Sequence, residues 1–415
     1  MTCGPDGWSL LVWDPVETTT DPRDWPATGR RLLRKDTSED IFPGGVVGYL
    51  GYGVGDQVER LPASKATSEP PLFLGRYEGA LAWSAEHQRW KACGSRQFQD
   101  KAIRLLERAA VLGPPPPAQA STMETRSKEE WERDIRQILD WIGSGDCYQV
   151  NLSRVVRLTG CGEAFPAWRR LERLASASHG AFLRPNADVA ILSSSPELFL
   201  QVNGRQLLSD PIKGTRPRHP DPVVDRAFAN ALRESEKDRA ELTMIVDLVR
   251  NDLGRIAETY SVKVENRVIT AHANVHHASQ RVSATLGAGH DVWSALAATF
   301  PAGSVTGAPK IRACERIAEL EPEPRGVYCG SIGFAADNGK AAWNVAIRTS
   351  VWTPDRQGTL RYHVGGGIVA DSDPALEWRE TIDKGTLLAR AFTGSPTPEL
   401  RRLPPASLDP QAAHD

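Results

Sequence analysis

Apolar positions along the chain fall into two alternating periodicities. Ser127 and Glu130 stand at capping-box spacing, and Trp131, Ile135, Ile138 and Ile142 then recur every three or four residues until Gly143 and Gly145 stop the run. That pattern predicts an amphipathic helix. Helical patterns also run over residues 225–253, 309–320 and 374–392. Residues 190–202 read as a strand, and residues 330–336 and 341–352 flank Asp337-Asn338-Gly339-Lys340, whose Asn-Gly is a hairpin signal. In the second arm Trp343, Val345, Ile347 and Val351 alternate with Asn344, Arg348 and Ser350, which predicts one packed face and one polar face carrying Arg348. Strands and helices in blocks predict an α+β fold with helices covering antiparallel sheets.

Four consecutive prolines, Pro114 to Pro117, can form neither helix nor inner strand and mark a spacer. The expected organisation is an N-terminal region 1–113, a Pro-rich linker 114–126, a main domain 127–392 and a loose polar tail 393–415.

Composition narrows the function classes. In 415 residues, 50 Lys and Arg face 52 Asp and Glu, so no summed field would hold the chain on nucleic acid or an anionic membrane. The sequence has no apolar run near the roughly 20 residues of a membrane helix, and its start lacks signal-peptide features. A cytoplasmic location is the expectation. Six scattered cysteines form no Cys-x-x-Cys, which argues against structural zinc and a disulfide framework.

On a helical wheel over residues 237–253, Leu242, Ile245, Leu248 and Val249 make one apolar arc, and Asp238, Glu241 and Asp252 lie on it. Buried carboxylates need a cation or donors, so this arc calls for a metal or for an internal ion pair such as one to Arg255. A second helix repeats the pattern. Asp373 can cap it, Pro374 suits its first turn, and Glu377, Glu380 and Lys384 share a face with Leu387, Leu388 and Ala391. Carboxylates from two helices without a His or Cys cluster fit a hard, oxygen-loving ion of the Mg²⁺ type.

Other segments suit anions or proton transfer. Gly365-Gly366-Gly367, read as ending a strand at Val364, and Thr306-Gly307-Ala308-Pro309-Lys310, opening a helix, could each present backbone amides or merely form tight turns. Lys213, between a strand signal and Gly214, could project an amine into a cavity where burial lowers its pKa, or lie on the surface. Glu197 after Ser195-Pro196, and His277, are candidate acid or base groups.

Taken in order, these segments resemble the chorismate-utilising enzymes, most closely component I of the aminodeoxychorismate synthases. The resemblance is carried by Gly145-Asp146-Cys147-Tyr148-Gln149-Val150-Asn151-Leu152, Ser195-Pro196-Glu197, Pro211-Ile212-Lys213-Gly214-Thr215 and Lys237-Asp238-Arg239-Ala240-Glu241. It continues through Phe300 to Lys310, Cys329-Gly330-Ser331-Ile332-Gly333 and Gly365 to Ser372. It spans residues 127–392 strongly and 44–55 weakly, and the region before Gly44 looks shortened.

The resemblance implies two antiparallel sheets packed across each other, with helices outside and the site in a cleft of the later part. It implies Mg²⁺ on Glu241 and Glu380, with Asp238 and Glu377 supporting, holding the ring carboxylate of chorismate. Lys384 and the amides of Gly365, Gly366 and Gly367 would help bind that carboxylate. Arg348 and Tyr328 would take the enolpyruvyl carboxylate, and Thr215 and Thr306 would complete the substrate contacts. Lysine at position 213 is the aminodeoxychorismate synthase pattern, where anthranilate synthases usually carry Ala. It implies attack by Lys213 on ring C2, with Glu197 as acid and base and His277 positioning, in the route to 4-aminobenzoate and folate. Water-adding relatives carry a lysine where this chain has Gln149. No cysteine here is followed by Gly-His-Gln, so the resemblance implies a separate glutamine amidotransferase subunit as the ammonia source.

Overall fold

The computed structural model describes residues 7–118, 120–124, 126–175, 177–272 and 275–394. Cys3 and the proposed tail from residue 395 lie outside the described residues. All strand pairs are antiparallel. A nine-stranded sheet runs in the order Lys263–Val264, Val282–Thr285, Gln206–Asp210, Leu198–Asn203, Lys340–Asn344, Ser331–Ala336, Gly45–Leu50, Leu72–Tyr77 and Glu17–Thr19. A seven-stranded sheet runs Gly307–Ala308, Gln149–Thr159, Thr359–Ile368, Thr349–Thr353, Ala190–Ser195 and His179–Leu183, with Ser121–Glu124 pairing Gln149–Thr159 as well. Two three-stranded sheets complete the α+β fold: Trp8–Leu11 with Gly79–Ser84 and Arg89–Gly94, and Ile212–Pro217 with Val275–Ser279 and Val268–Ala271.

The proline spacer does not separate two cores. Gly45–Leu50 and Leu72–Tyr77, from before it, extend the same sheet as Ser331–Ala336 from near the chain's end. Ser121–Glu124, within the expected linker, is a strand.

The helix at Lys128–Gly143 carries the predicted capping box, with Trp131, Ile135 and Ile138 buried. The wheel over residues 237–253 is equally well oriented: Leu242, Ile245 and Val249 sit in a core with Trp25, Trp293 and Trp343. Those indoles meet edge to face, Trp293 and Trp343 at 5.8 Å and Trp25 and Trp293 at 6.4 Å, the geometry their quadrupoles favour.

Three predicted elements are each broken in two. The helical run from 225 is Pro222–Glu234 and Glu236–Gly254, with Ser235 capping the second by accepting from Asp238 N. The strand expected over 190–202 is Ala190–Ser195 in the smaller sheet and Leu198–Asn203 in the larger, because Pro196 cannot supply a ladder N–H. Residues 341–352 likewise split into Lys340–Asn344 and Thr349–Thr353. The polar face predicted there is itself covered. Asn344 and Ser350 are buried, and Asn344 donates to His179 O and accepts from Ile332 N. Among the described residues no helix is long and apolar enough to cross a membrane.

Candidate active site

The two broken strands break side by side. Ala190–Ser195 pairs with Thr349–Thr353 in one sheet, and Leu198–Asn203 pairs with Lys340–Asn344 in the other, so a two-strand ribbon passes between the sheets. The crossing is fastened by Ser194 N to Arg348 O at 3.0 Å, Ser195 Oγ to Val345 O at 2.5 Å and Val345 N to Glu197 O at 3.0 Å. Glu197 and Arg348 therefore occupy its two halves. Arg348 has φ +49°, a left-handed conformation a β-carbon disfavours, held here by both sheets.

Glu197 is 4% exposed, and burial pushes its carboxyl up to about 7, against the opposing pull of Ser304 and the Lys213 ammonium. Burial lowers the Arg348 pKa, while Glu197 counteracts. Among the described residues no carboxylate forms an ion pair with Arg348, which leaves its fork of donors for an anionic ligand.

Lys213 lies in Ile212–Pro217, whose register against Val275–Ser279 shifts between Ile212 and Thr215. The irregularity is a bulge, with Gly214 at φ +88°. A bulge re-aims a side chain. Gly214 also has no room for a β-carbon, which would lie 2.7 Å from Leu232 and 2.9 Å from the Asp238 carboxylate. Burial lowers the Lys213 pKa from the ordinary lysine value. Lys384 adds to that, and Glu241, Glu197 and Glu380 oppose it.

The triple glycine does not end a strand. It lies inside Thr359–Ile368, paired to Gln149–Thr159 throughout, whereas Thr349–Thr353 pairs on the other side only as far as Tyr362. Its value is absence of bulk. A β-carbon on Gly366 would lie 3.2 Å from Glu377 Oε2 and 3.6 Å from both Glu380 Oε1 and Lys384 Nζ. One on Gly367 would lie 3.4 Å from Lys213 Nζ and 2.5 Å from Gln149 Nε2. The bare strand thus lets the second acid helix, Pro374–Thr393, approach at Gly366 and Lys213 at Gly367.

Around that floor the acids differ in their partners. Glu380 pairs with Lys384 Nζ at 2.6 Å, and the same ammonium donates to Gly365 O at 3.0 Å. Glu377 accepts from Ser372 Oγ at 2.7 Å, and Asp238 pairs with Arg216 at 2.8 Å. Glu241 has no ion pair or hydrogen bond among the described residues. Burial raises its pKa, Lys213 and Lys237 pull it down, and Asp238 and Glu380 raise it further. Burial likewise raises Glu377, with Glu380 adding to it.

Several predicted residues are engaged with partners inside the protein. His277 is buried, and its Nδ1 is 2.9 Å from Thr215 Oγ1. Burial, with Arg348 and His272 nearby, pushes its pKa down to about 3, so the ring is neutral. Tyr328 is buried and stacked on His363 with centroids 5.0 Å apart. Thr306 is fully buried, with its hydroxyl donated to Ala302 O at 3.1 Å and its carbonyl accepting from Asn151 N. Asp252, the third inward acid, joins neither the other carboxylates nor Arg255. It pairs with Lys310 Nζ at 2.6 Å in a buried bridge, and Arg255 turns instead to Glu59. Of the cysteines, Cys161 is buried and burial pushes its thiol up to about 12.

Lys237 and Asn151 escaped the sequence reading as site groups, and Gln149 entered it only as the position of a lysine in relatives. Lys237 stands 4.0 Å from Glu377 and so links the two acid helices; its i,i+4 spacing to Glu241 was the available signal. Gln149 and Asn151 share one strand face, both buried. Neither end of the Gln149 carboxamide nor Asn151 Nδ2 has a partner, and buried amides left so are rare unless a ligand completes them.

The carboxylates can accept a divalent cation only in part by themselves. Among the described residues no three His, Cys, Asp or Glu side chains are gathered as a ready-made metal centre. What is present is a Glu241 unpaired among the described residues, its charge disfavoured by Glu380, whose own pKa is lowered by Lys384 against the effect of burial. That suits Mg²⁺, which keeps waters and takes one or two carboxylates together with substrate oxygens.

The chain is 42% identical over 349 residues to aminodeoxychorismate synthase component 1 of Salmonella typhimurium, covering 83% of this chain and 75% of that protein. It is 37% identical over 379 residues to anthranilate synthase component 1 of Streptomyces coelicolor, covering 84% and 73%. The crystal structure of anthranilate synthase component I from Streptococcus pneumoniae superposes with a TM-score of 0.81 at 28% identity, covering 94% of this chain and 93% of that one. Residues 11–390 match the chorismate binding enzyme family, and with that match over most of its length the chain belongs to this family of chorismate-utilising enzymes.

Proposed function

We propose that the protein is the aminating component of an aminodeoxychorismate synthase, converting chorismate and ammonia to 4-amino-4-deoxychorismate. The observation that carries this reading is Lys213, a half-buried amine with a lowered pKa, electrostatically coupled to the protonatable Glu197 and to Glu241 and Glu380 of the two acid helices. In an anthranilate-type reaction this lysine has no task. In the proposed one, neutral Lys213 forms a bond from Nζ to ring C2, the double bonds shift, and the C4–O bond breaks as Glu197 gives its proton to the departing hydroxyl, releasing water. Ammonia then bonds to C4, the C2–Nζ bond breaks, and Glu197 takes the surplus proton from the new amine. Lysine and Glu197 end as they began.

Arg348 supplies a bidentate cation for one carboxylate of the dianionic substrate. Lys384 stands ready at the other, beside the open edge of the glycine strand. Glu241 and Glu380 would hold Mg²⁺, with Asp238 and Glu377 in support. When bound, the ion neutralises the ring carboxylate against those acids. His277, neutral and held by Thr215, positions the ring side of the pocket.

The ammonia source in this reading is a separate glutamine amidotransferase subunit; among relatives, the designation component 1 supports that division. The test is product identity from chorismate, Mg²⁺ and ammonia, with and without a lyase that converts aminodeoxychorismate to 4-aminobenzoate. Fluorescent anthranilate as the product would refute the reading. Glutamine-dependent turnover by this chain alone would refute the separate subunit.

A further inference from the structure

We propose that a small cavity behind Glu197 is the docking chamber for the nitrogen nucleophile, holding one molecule of ammonia beside the carboxylate that will take its proton. This rests on the amination reading above. The cavity lies between the strand starting at Leu198, the end of the first acid helix and the Thr299–Ser304 turn, and has room for about one water-sized molecule. Its polar lining is Glu197, Ser209, Asp252, Thr299 and Ser304.

Two features favour ammonia there. The first is position. Glu197 lines the cavity and neither Lys213 nor Arg348 does, although both are electrostatically coupled to it, so the cavity is separate from the space that a ring bonded to Lys213 and clamped by Arg348 would fill. A nucleophile kept behind Glu197 has the base within reach without competing for that space. The second is donor count. Lys310 already spends its ammonium on Asp252 and on Thr299 O at 2.9 Å, and Ser304 interacts with Glu197. The lining thus offers mainly acceptors, and ammonia brings three N–H donors to them where water brings two. This also gives the Asp252–Lys310 bridge a purpose: it keeps one wall polar yet charge-balanced inside an otherwise apolar core.

The experiment alters the chamber at apolar wall residues remote from the proposed chemistry, using the full chain with chorismate, Mg²⁺ and ammonium chloride. Ala302→Val narrows it and Val249→Ala widens it; both residues line the cavity. The expected result for Ala302→Val is a KM for ammonia raised at least about tenfold, an unchanged KM for chorismate, and covalent attachment to Lys213 still detected by intact-protein mass. For Val249→Ala, methylamine should become a substrate, giving an N-methylated product that the wild type does not form. Should Ala302→Val fail to fold, Val249→Ala decides alone. Unchanged ammonia KM in a folded Ala302→Val, wild-type use of methylamine, or no methylamine use by Val249→Ala overturns the chamber while amination stands. A wild type that makes no aminated product from ammonia overturns the reaction reading and the chamber with it.

Discussion

Glu197→Gln should trade activity for stability, by an amount that depends on pH. Glu197 is buried, with a carboxyl pushed up to about 7 from an ordinary 4.5 mainly by burial. The folded chain therefore holds a proton that the unfolded chain releases between those values. The associated stability is fully present below pH 4.5 and is lost as pH rises to about 7, beyond which the loss is constant. The interval from 4.5 to about 7, at about 1.4 kcal/mol per pH unit, amounts to about 3 kcal/mol. Glutamine is nearly the same shape, keeps an oxygen for Ser304 and never ionises. Relative to wild type it should gain little at pH 5 and about 3 kcal/mol at pH 8, measured as the difference in urea unfolding free energy across that range. Turnover should fall about 10²- to 10⁴-fold, the usual worth of a positioned proton donor. A stability difference independent of pH would refute the assignment of Glu197 as a proton-holding acid, whatever happened to activity.

Lys213→Ala should abolish amination while leaving chorismate affinity within a fewfold of wild type by calorimetry; full turnover would exclude the covalent route. Glu241→Gln should remove the Mg²⁺ dependence of chorismate binding, since Glu241 is the acid with no ion pair or hydrogen bond among the described residues, and an unchanged Mg²⁺ titration would count against that site. Lys310→Met should cost about 3–5 kcal/mol by leaving Asp252 buried and unpaired. Adding Asp252→Asn to it should recover much of that loss in a double-mutant cycle, and strictly additive losses would show that the bridge is not the cause.

Local chemistry was legible wherever one element decides the outcome. The Ser127–Glu130 box, Asp373 accepting from Ala375 N and Leu376 N, and the inward arc of the first acid helix all follow from spacing within a single helix. What failed was partner choice across distance. Asp252 was rightly placed inside, but its cation comes from a helix 58 residues later, and nothing in a wheel can distinguish Lys310 from Arg255. The strand breaks failed for a related reason. Alternation marks one dry and one wet face, yet Asn344 and Ser350 are polar on a face that a second sheet covers, so the pattern persists straight across the crossing. Pro196 was the only local sign of the break.

The triple glycine shows why this matters for function. Read locally, three glycines signal a turn or an anion loop. In the fold they are a strand stripped of side chains, so that Glu377, Glu380 and Lys384 can approach it at Gly366 and Lys213 at the neighbouring Gly367. The ribbon crossing supplies the opposite wall with Glu197 and Arg348. A chain of nearly zero net charge can in this way offer a dianion two cations, Arg348 and Lys384, without a basic surface. The acids beside them keep those cations from repelling each other until the substrate arrives. The carboxylates around Lys213 favour its charged form, but desolvation and Lys384 together shift it toward the neutral form that the proposed attack requires. The same packing thus shifts the acid toward its protonated form and the amine toward its unprotonated form, each against its preference in water near neutral pH.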